Sequence, residues 1–321
     1  MPKGIGQLNS LQTLTSYVID SDVGNGIVQL KDLNLGSALS LTELRKVHGT
    51  DNAKQGNMST KHNLKRLSLD WANGPYSTHV GYVVHTNAEG ILEALRPHKR
   101  LEVLLLSNYP GAKLSSWMHN STLLEHITEL SPVGCKSFND FPPLWQLPSP
   151  RYLDLDSLDS LTSICLGNDD KDNVKFCISP LPLFPKLETM IVSNMPKLER
   201  WHQEVTGQIA VVSFPQLKKL NISKCPMLAS MPKMLPLLED LQCKGSISVE
   251  PEGSRQPIDL HFSRLRDSHM KLRLKGLMEN VERIEEELKR IPCRFIKELG
   301  IIDCDCLCSS ELSQIQRERH P

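Results

Sequence analysis

Three observations predict an α/β solenoid whose short strands stack into a parallel β-sheet lining a concave face, with an irregular convex side. A phrase of the form L-x-x-L-x-L recurs along the chain, 49 of the 321 residues are leucine while only 5% are aromatic, and two fifteen-residue stretches align to each other without a gap. Strand side chains alternate, so both leucines of L-x-L face one side and the residue between them faces the other. Copies stacked side by side bury their leucines only against neighbouring copies, which is the horseshoe of a leucine-rich repeat.

The series opens at Leu8-Asn9-Ser10-Leu11-Gln12-Thr13-Leu14. Copies follow at Leu64-Lys65-Arg66-Leu67-Ser68-Leu69, at Leu101-Glu102-Val103-Leu104-Leu105-Leu106, and at Pro150-Arg151-Tyr152-Leu153-Asp154-Leu155, where proline replaces the first leucine. The stretch beginning Phe184-Pro185-Lys186-Leu187 and ending at Leu198 matches the one beginning Phe214-Pro215-Gln216-Leu217 and ending at Leu228. Shorter copies are Leu238-Glu239-Asp240-Leu241 and Ile296-Lys297-Glu298-Leu299-Gly300-Ile301. Near Glu129-Leu130 the phrase reads one residue out of step.

The position after the strand holds Asn108, Asn194, Cys225 or Cys304, amides and thiols suited to satisfying turn backbone groups. Pro185, Pro196, Pro215 and Pro226 flank the strands, and proline blocks helix interiors, so few regular helices are expected on the convex side. One stretch differs: Leu277, Val281, Ile284, Leu288 and Ile291 recur at helical spacing up to Pro292, predicting an amphipathic helix over 277–291. Its other face places Glu279, Glu285 and Glu286 four residues before Arg283, Lys289 and Arg290, the favourable order for ion pairs. Segments 73–88, 167–175 and 244–258 read as loops between repeats, leaving 1–321 as a single domain.

Lys+Arg and Asp+Glu balance at 37 each, so no global field attracts nucleic acid or an anionic membrane. No apolar run approaches the ~20 residues of a membrane span, and nine unframed cysteines fit free thiols in a reducing cytoplasm. The sequons at Asn57, Asn120 and Asn221 then carry no glycan. There is no P-loop, dinucleotide fingerprint, nucleophile elbow or zinc-protease helix, so the chain reads as no enzyme and as binding no cofactor or metal. The cluster Cys304-Asp305-Cys306-Leu307-Cys308 lacks the paired C-x-x-C spacing of structural zinc and continues the repeat instead.

What remains is recognition by residues that flank the strand leucines. Register puts Lys65, Arg66, Ser68 and Asp70, then Arg151, Tyr152, Asp154 and Asp156, then Lys218, Lys219, Asn221 and Lys224 on the accessible side, as candidate protein-binding residues. A ubiquitin-ligase substrate receptor shares this fold, but no adaptor-binding segment is visible before the first repeat. The first repeat also starts almost at Met1 with no polar cap over its apolar edge, an expectation of a truncated or non-functional decoy fragment.

Several motifs together resemble the leucine-rich-repeat region of plant intracellular nucleotide-binding resistance proteins, in the coiled-coil class and of the cereal type. They are Pro2-Lys3-Gly4-Ile5-Gly6-Gln7-Leu8, Leu30-Lys31-Asp32-Leu33-Asn34-Leu35-Gly36, Leu64 to Trp71, Ile91-Leu92-Glu93-Ala94-Leu95, Tyr109-Pro110-Gly111 with Ser116-Trp117-Met118, Pro142-Pro143-Leu144-Trp145, and the two F-P-x-L copies. The family has glycine where Trp145 stands. The resemblance implies an effector-sensing, autoregulatory role in innate immunity, in the cytoplasm and also the nucleus. The implied partners are a pathogen effector or guarded host protein, and a nucleotide-binding switch domain. ADP or ATP belongs to that switch, which this sequence lacks together with the coiled coil.

Overall fold

The computed structural model describes residues 4–20, 26–72, 87–138, 144, 147–165, 184–202, 214–228, 237–244, 259–264, 270–275 and 296–302. The strands are β1 (Ser16–Val18), β2 (Ser37–Thr42), β3 (Leu64–Asp70), β4 (Val103–Ser107), β5 (Glu129–Val133), β6 (Tyr152–Asp156), β7 (Ser163–Cys165), β8 (Thr189–Ser193), β9 (Arg200–His202), β10 (Lys219–Ser223), β11 (Asp240–Lys244), β12 (Asp259–Arg264), β13 (Met270–Lys275) and β14 (Ile296–Ile302). Among the described residues, twelve of them form one sheet in the order β1-β2-β3-β4-β5-β6-β8-β10-β11-β12-β13-β14, and β7 pairs with β9 apart from it. Among the described residues, two short helices, α1 (Gly49–Lys54) and α2 (Ala88–Ala94), and several 3-10 turns lie in the return segments. The sequence's expectation of few regular helices agrees with this.

Pairing from β1 through β11 is parallel, with one register shift, between Ser37 and Ala38 where β2 meets β3. Beyond that shift the inward columns are therefore continuous. Leu67, Leu104, Leu130, Leu153, Met190 and Leu220 form one, and Leu69, Leu106, Pro132, Leu155, Val192 and Ile222 form the next. Leu64 at the start of β3, and Leu101, Ile127, Pro150, Leu187, Leu217 and Leu238 buried just before their strands, form a third. Losing one such leucine side chain typically costs ~2–5 kcal/mol.

Three sequence expectations change. Glu129-Leu130 is not out of step, because Leu130 lies directly between Leu104 and Leu153; the irregularity is Pro132 in the second inward position, where the β5–β6 ladder lapses. Proline has no N–H to give that ladder. Pro150 is buried at the pre-strand position, so it fills the leucine's place and leaves the column intact. At the start, β1 begins at Ser16 with Tyr17 and Ile19 inward, while Leu8 is exposed and Leu11 and Leu14 pack only partly against the core. Tyr17 pairs with Leu41, so Leu14 falls level with Ala38, one residue short of the inward position.

β12 runs antiparallel to both β11 and β13 before β13 and β14 resume parallel pairing. Only residues 265–269 join β12 to β13, too few for a parallel crossover but enough for a hairpin. The strict alternation Met270-Lys271-Leu272-Arg273-Leu274-Lys275 suits such a strand. The helix expected over 277–291, Trp145, and the cysteines at 304, 306 and 308 lie outside the described residues.

The strands β4, β5, β6, β8 and β10 are each followed by one left-handed residue. Asn108, Gly134, Ser157, Asn194 and Lys224 have φ of 55°, 70°, 54°, 51° and 53°. The first four donate their backbone N–H to the last strand carbonyl of the following repeat, at Val133, Asp156, Ser193 and Ser223. That conformation costs an L-residue roughly 1–2 kcal/mol, and asparagine tolerates it best. Asn108 and Asn194 gain further: each Nδ2 donates to a carboxylate of an earlier strand, Asp70 at 3.0 Å and Asp156 at 2.8 Å. Cys225 sits one residue later than Asn194 does and is buried, its thiol against the carbonyls of Val192 and Ser223. Cys135 does the same with Leu106 and Val133, and burial pushes its pKa up to about 12, so this thiol is packing material.

The return segments carry two polar anchors. Lys61 is 2% exposed and donates to the Leu30 and Leu33 carbonyls at 2.6 and 2.9 Å. Burial lowers its pKa to about 8, with Asp32 opposing. The Tyr109-to-His119 segment clasps α2: Glu89 accepts from the N–H groups of Ala112 and Lys113, Glu93 from Ser116, and the Leu92 carbonyl from the Trp117 indole. Gly111 lies against the hydroxyl end of the Tyr109 ring, leaving no room for a Cβ. The Tyr109-Pro110-Gly111 and Ser116-Trp117 motifs thus hold the fold.

Two measurements check this account. Replacing Asn194 with alanine should lower unfolding free energy by about 1–3 kcal/mol in urea titrations, with glycine costing less, because both the turn and the carboxylate bond are lost. Between about pH 8 and 10.5 the unfolded chain holds a Lys61 proton that the folded chain has released, so this residue's contribution to stability rises with pH. The difference in melting temperature between wild type and Lys61→Met, followed over that window, should show the slope.

Candidate functional site

Between the inward leucines, the strands of the main sheet from β3 to β11 present their intervening residues on the open face. In register, the first outward column reads Arg66, Val103, Glu129, Tyr152, Thr189, Lys219 and Asp240, and the second reads Ser68, Leu105, Ser131, Asp154, Ile191, Asn221 and Gln242. Asp70, Ser107, Val133, Asp156, Ser193 and Ser223 end the strands. All of the predicted residues except Lys224, which occupies a left-handed turn, lie in these columns or immediately before them.

Many of these charges serve one another. Lys65 pairs with Glu102, and Glu188 bridges Arg151 at 2.8 Å and Lys218 at 3.1 Å, tying consecutive repeats just ahead of the strands. Lys218 chiefly, then Arg151, holds the Glu188 carboxyl below its ordinary pKa. Arg66 reaches over Val103 to place one guanidinium nitrogen 2.9 and 2.8 Å from the two Glu129 oxygens. Asp70 and Asp156 accept from the turn asparagines already described, Asp70 also from the Ala72 N–H, and Asp156 from the Ser157 hydroxyl. Lys65, Arg66, Arg151, Lys218, Asp70 and Asp156 therefore have structural work within the molecule.

The middle of the face is different. Tyr152 and Asp154 stand two residues apart on β6, both half-buried. Burial, then the Asp156 charge, raises the Asp154 pKa; the Ser131 hydroxyl bond opposes, and Glu129 adds to the rise. Burial, Asp154 and Glu129 raise the Tyr152 phenol in turn. Among the described residues no cation pairs with Asp154. Apolar surface lies on both sides, in half-buried Val103 and Leu105 on β4 and Ile191 on β8. Farther along, Lys219 is exposed, and the Asn221 Oδ1 is buried with no hydrogen-bond partner among the described residues. An aromatic ring, the Asp154 carboxylate without a cation and a rim of aliphatic side chains suit contact with a protein segment that carries a basic side chain.

The sequence did not single out Leu105 or Ile191. In Leu104-Leu105-Leu106 and Met190-Ile191-Val192 three apolar residues run together, so only register reveals which one faces out. Glu129 was also missed as a partner of Arg66, because those two strands are not adjacent.

Among the described residues, no helix is long and apolar enough to cross a membrane, and no group of His, Cys, Asp or Glu could hold a metal ion. Stacked parallel strands, leucine columns and repeated turn residues define a leucine-rich-repeat protein. Residues 27–158 match the family model described as R13L1/DRL21 LRRs, and residues 100–245 match that of plant disease resistance protein RPS2-like leucine-rich repeats. The chain is 32% identical over 250 residues to disease resistance protein RGA2 of Solanum bulbocastanum, with 76% of this chain and 24% of the relative aligned. It is 31% identical over 254 residues to the Arabidopsis thaliana disease resistance RPP13-like protein 1, covering 74% and 23% respectively. The chain spans about a quarter of the length of the curated relatives it matches.

Asp154 gives a measurement for this face. Its folded-state pKa lies above the ordinary 3.8, so the folded chain binds this proton the more tightly and gains stability as pH falls through the window just above that value. Melting curves of Asp154→Asn, in which the amide cannot titrate, should lack that gain and show higher stability than wild type at neutral pH.

Proposed function

We propose that this chain is the protein-recognition region of a plant intracellular immune receptor, sensing a pathogen effector or a guarded host protein through its concave face. The Tyr152–Asp154 centre carries the reading. It is half-buried, acidic and without a cation of its own, and Val103, Leu105 and Ile191 beside it offer apolar contact. A partner's lysine or arginine over the Tyr152 ring would gain both cation–π attraction and a desolvated carboxylate. Similarity to disease resistance proteins of Solanum bulbocastanum and Arabidopsis thaliana supports the setting.

In this reading the repeat region has recognition as its task and catalyses no reaction. The nucleotide switch that it restrains, with its ADP or ATP, belongs to the rest of the receptor, which works in the cytoplasm and also in the nucleus. The whole chain forms one repeat domain.

The test places Tyr152→Ala and Asp154→Lys in the full-length receptor and scores the leaf cell-death response to co-expressed effectors. Both variants should accumulate normally and lose recognition by about tenfold or more, the loss of one strong contact. The convex-side variant Lys113→Glu should respond as wild type. A response lost in Lys113→Glu and kept in the β6 variants would exclude the concave face.

A further inference from the structure

The convex loop between α2 and β4 carries Arg96-Pro97-His98-Lys99-Arg100, a basic run that recognition on the concave face does not use. A cavity of about 320 Å³ opens here, lined by Ser59, Ala94, Arg96, Pro97, His98, Lys99 and Leu123. Three successive return segments contribute to it, and buried Pro97 and Leu123 give it an apolar floor.

The charges in this place differ from the paired ones on the concave flanks. Lys65, Arg66, Arg151 and Lys218 all have carboxylate partners. Arg96, Lys99 and Arg100 form no ion pair among the described residues. The nearby acids are committed: Glu93 to Ser116, Glu102 to Lys65, and Glu125 to the side of His126. His62 adds a second imidazole, its ring 6.3 Å from that of His98.

The hydrogen bonding of His98 points the same way. The Arg100 backbone N–H donates to His98 Nδ1 at 3.2 Å, so the neutral ring carries its proton on Nε2 and is a donor there. Burial and the charges of Arg100, His62 and Lys99 all lower the His98 pKa. The residues lining the pocket thus carry a guanidinium fork, an ammonium, an imidazole N–H and the Ser59 hydroxyl, and none carries a carboxylate. A donor-rich concavity of this volume fits a small ligand with several anionic oxygens better than an extended peptide.

We infer that the cavity bounded by Ser59, Arg96, His98 and Lys99 is a binding site for a multiply charged phosphate compound. Arg96 supplies the bidentate contact, Lys99 a mobile charge, and His98 Nε2–H with Ser59 the neutral donors. The site lies apart from the concave centre and stands or falls independently of partner recognition.

The experiment titrates inorganic tripolyphosphate into the full chain at physiological salt by calorimetry. Saturable one-to-one binding is expected, weakened at least about tenfold by Arg96→Gln with Lys99→Gln. Removing the same charge elsewhere, with Lys219→Gln and Lys224→Gln, should change affinity less than about twofold. Circular dichroism of each variant separates loss of binding from loss of fold. No saturable binding by wild type, or equal weakening in both double variants, overturns the site. Tighter competition by an oligoglutamate peptide than by tripolyphosphate also overturns it, in favour of a protein ligand. Co-sedimentation with phosphatidylinositol phosphate vesicles, against plain phosphatidylcholine, distinguishes a lipid headgroup from a free oligophosphate, and binding to either supports a phosphate site.

Discussion

The structure depends on one constraint: successive strands must pair in register and parallel, so that each inward side chain lands on the same side chain of its neighbours. The ladder bonds alone do not fix this, because a slip of one residue preserves hydrogen bonding and turns every leucine toward solvent. Two things prevent a slip. The leucine columns make it costly, and the left-handed residue after each of β4, β5, β6 and β8 sends its N–H to the next repeat's final carbonyl, locking the end of one strand to the end of another. Asn194 and Asn108 add a side-chain bond one strand back, so at those repeats three strands are tied at one corner.

From that register the face follows. Outward residues fall into rows across the sheet, and charges of opposite sign placed a repeat or two apart come within reach. Glu188 between Arg151 and Lys218 is such a row, and Arg66 with Glu129 spans a strand. Exposed pairs of this kind contribute little stability singly. Their larger effect is on the field: they neutralise both flanks and leave β6 as the place where negative charge is neither paired nor well solvated.

The leucine period made the architecture legible, because a strand read every second residue and a repeat read every twenty to forty both survive in one sequence. The candidate residues of β3, β6 and β10 were legible for the same reason. Legibility failed where apolarity lost its contrast, as at Leu105 and Ile191, and where the substitute was apolar itself, as at Pro132 and Pro150. It failed again at Leu8, Leu11 and Leu14, whose spacing repeats the motif while their position is the turn before the edge strand. The cross-strand roles of Glu129 and Glu188 could not be read, since they depend on which repeats are neighbours and on the length of each return segment.

The same geometry separates what holds the fold from what can recognise a partner. An inward leucine touches side chains of two neighbouring repeats, so its loss leaves a cavity in a shared core. An outward residue such as Tyr152, Asp154 or Lys219 touches solvent on one side, and substitution at such surface positions usually shifts stability by no more than about 0.5 kcal/mol. Arg66 and Asp156 are exceptions, being bound into cross-strand contacts. Under the proposed function, a partner is exchanged by changing the centre of β6 and the aliphatic rim around it, while the ties at the flanks and strand ends keep the surface in place. This division makes a stacked sheet suited to sensing proteins that themselves change.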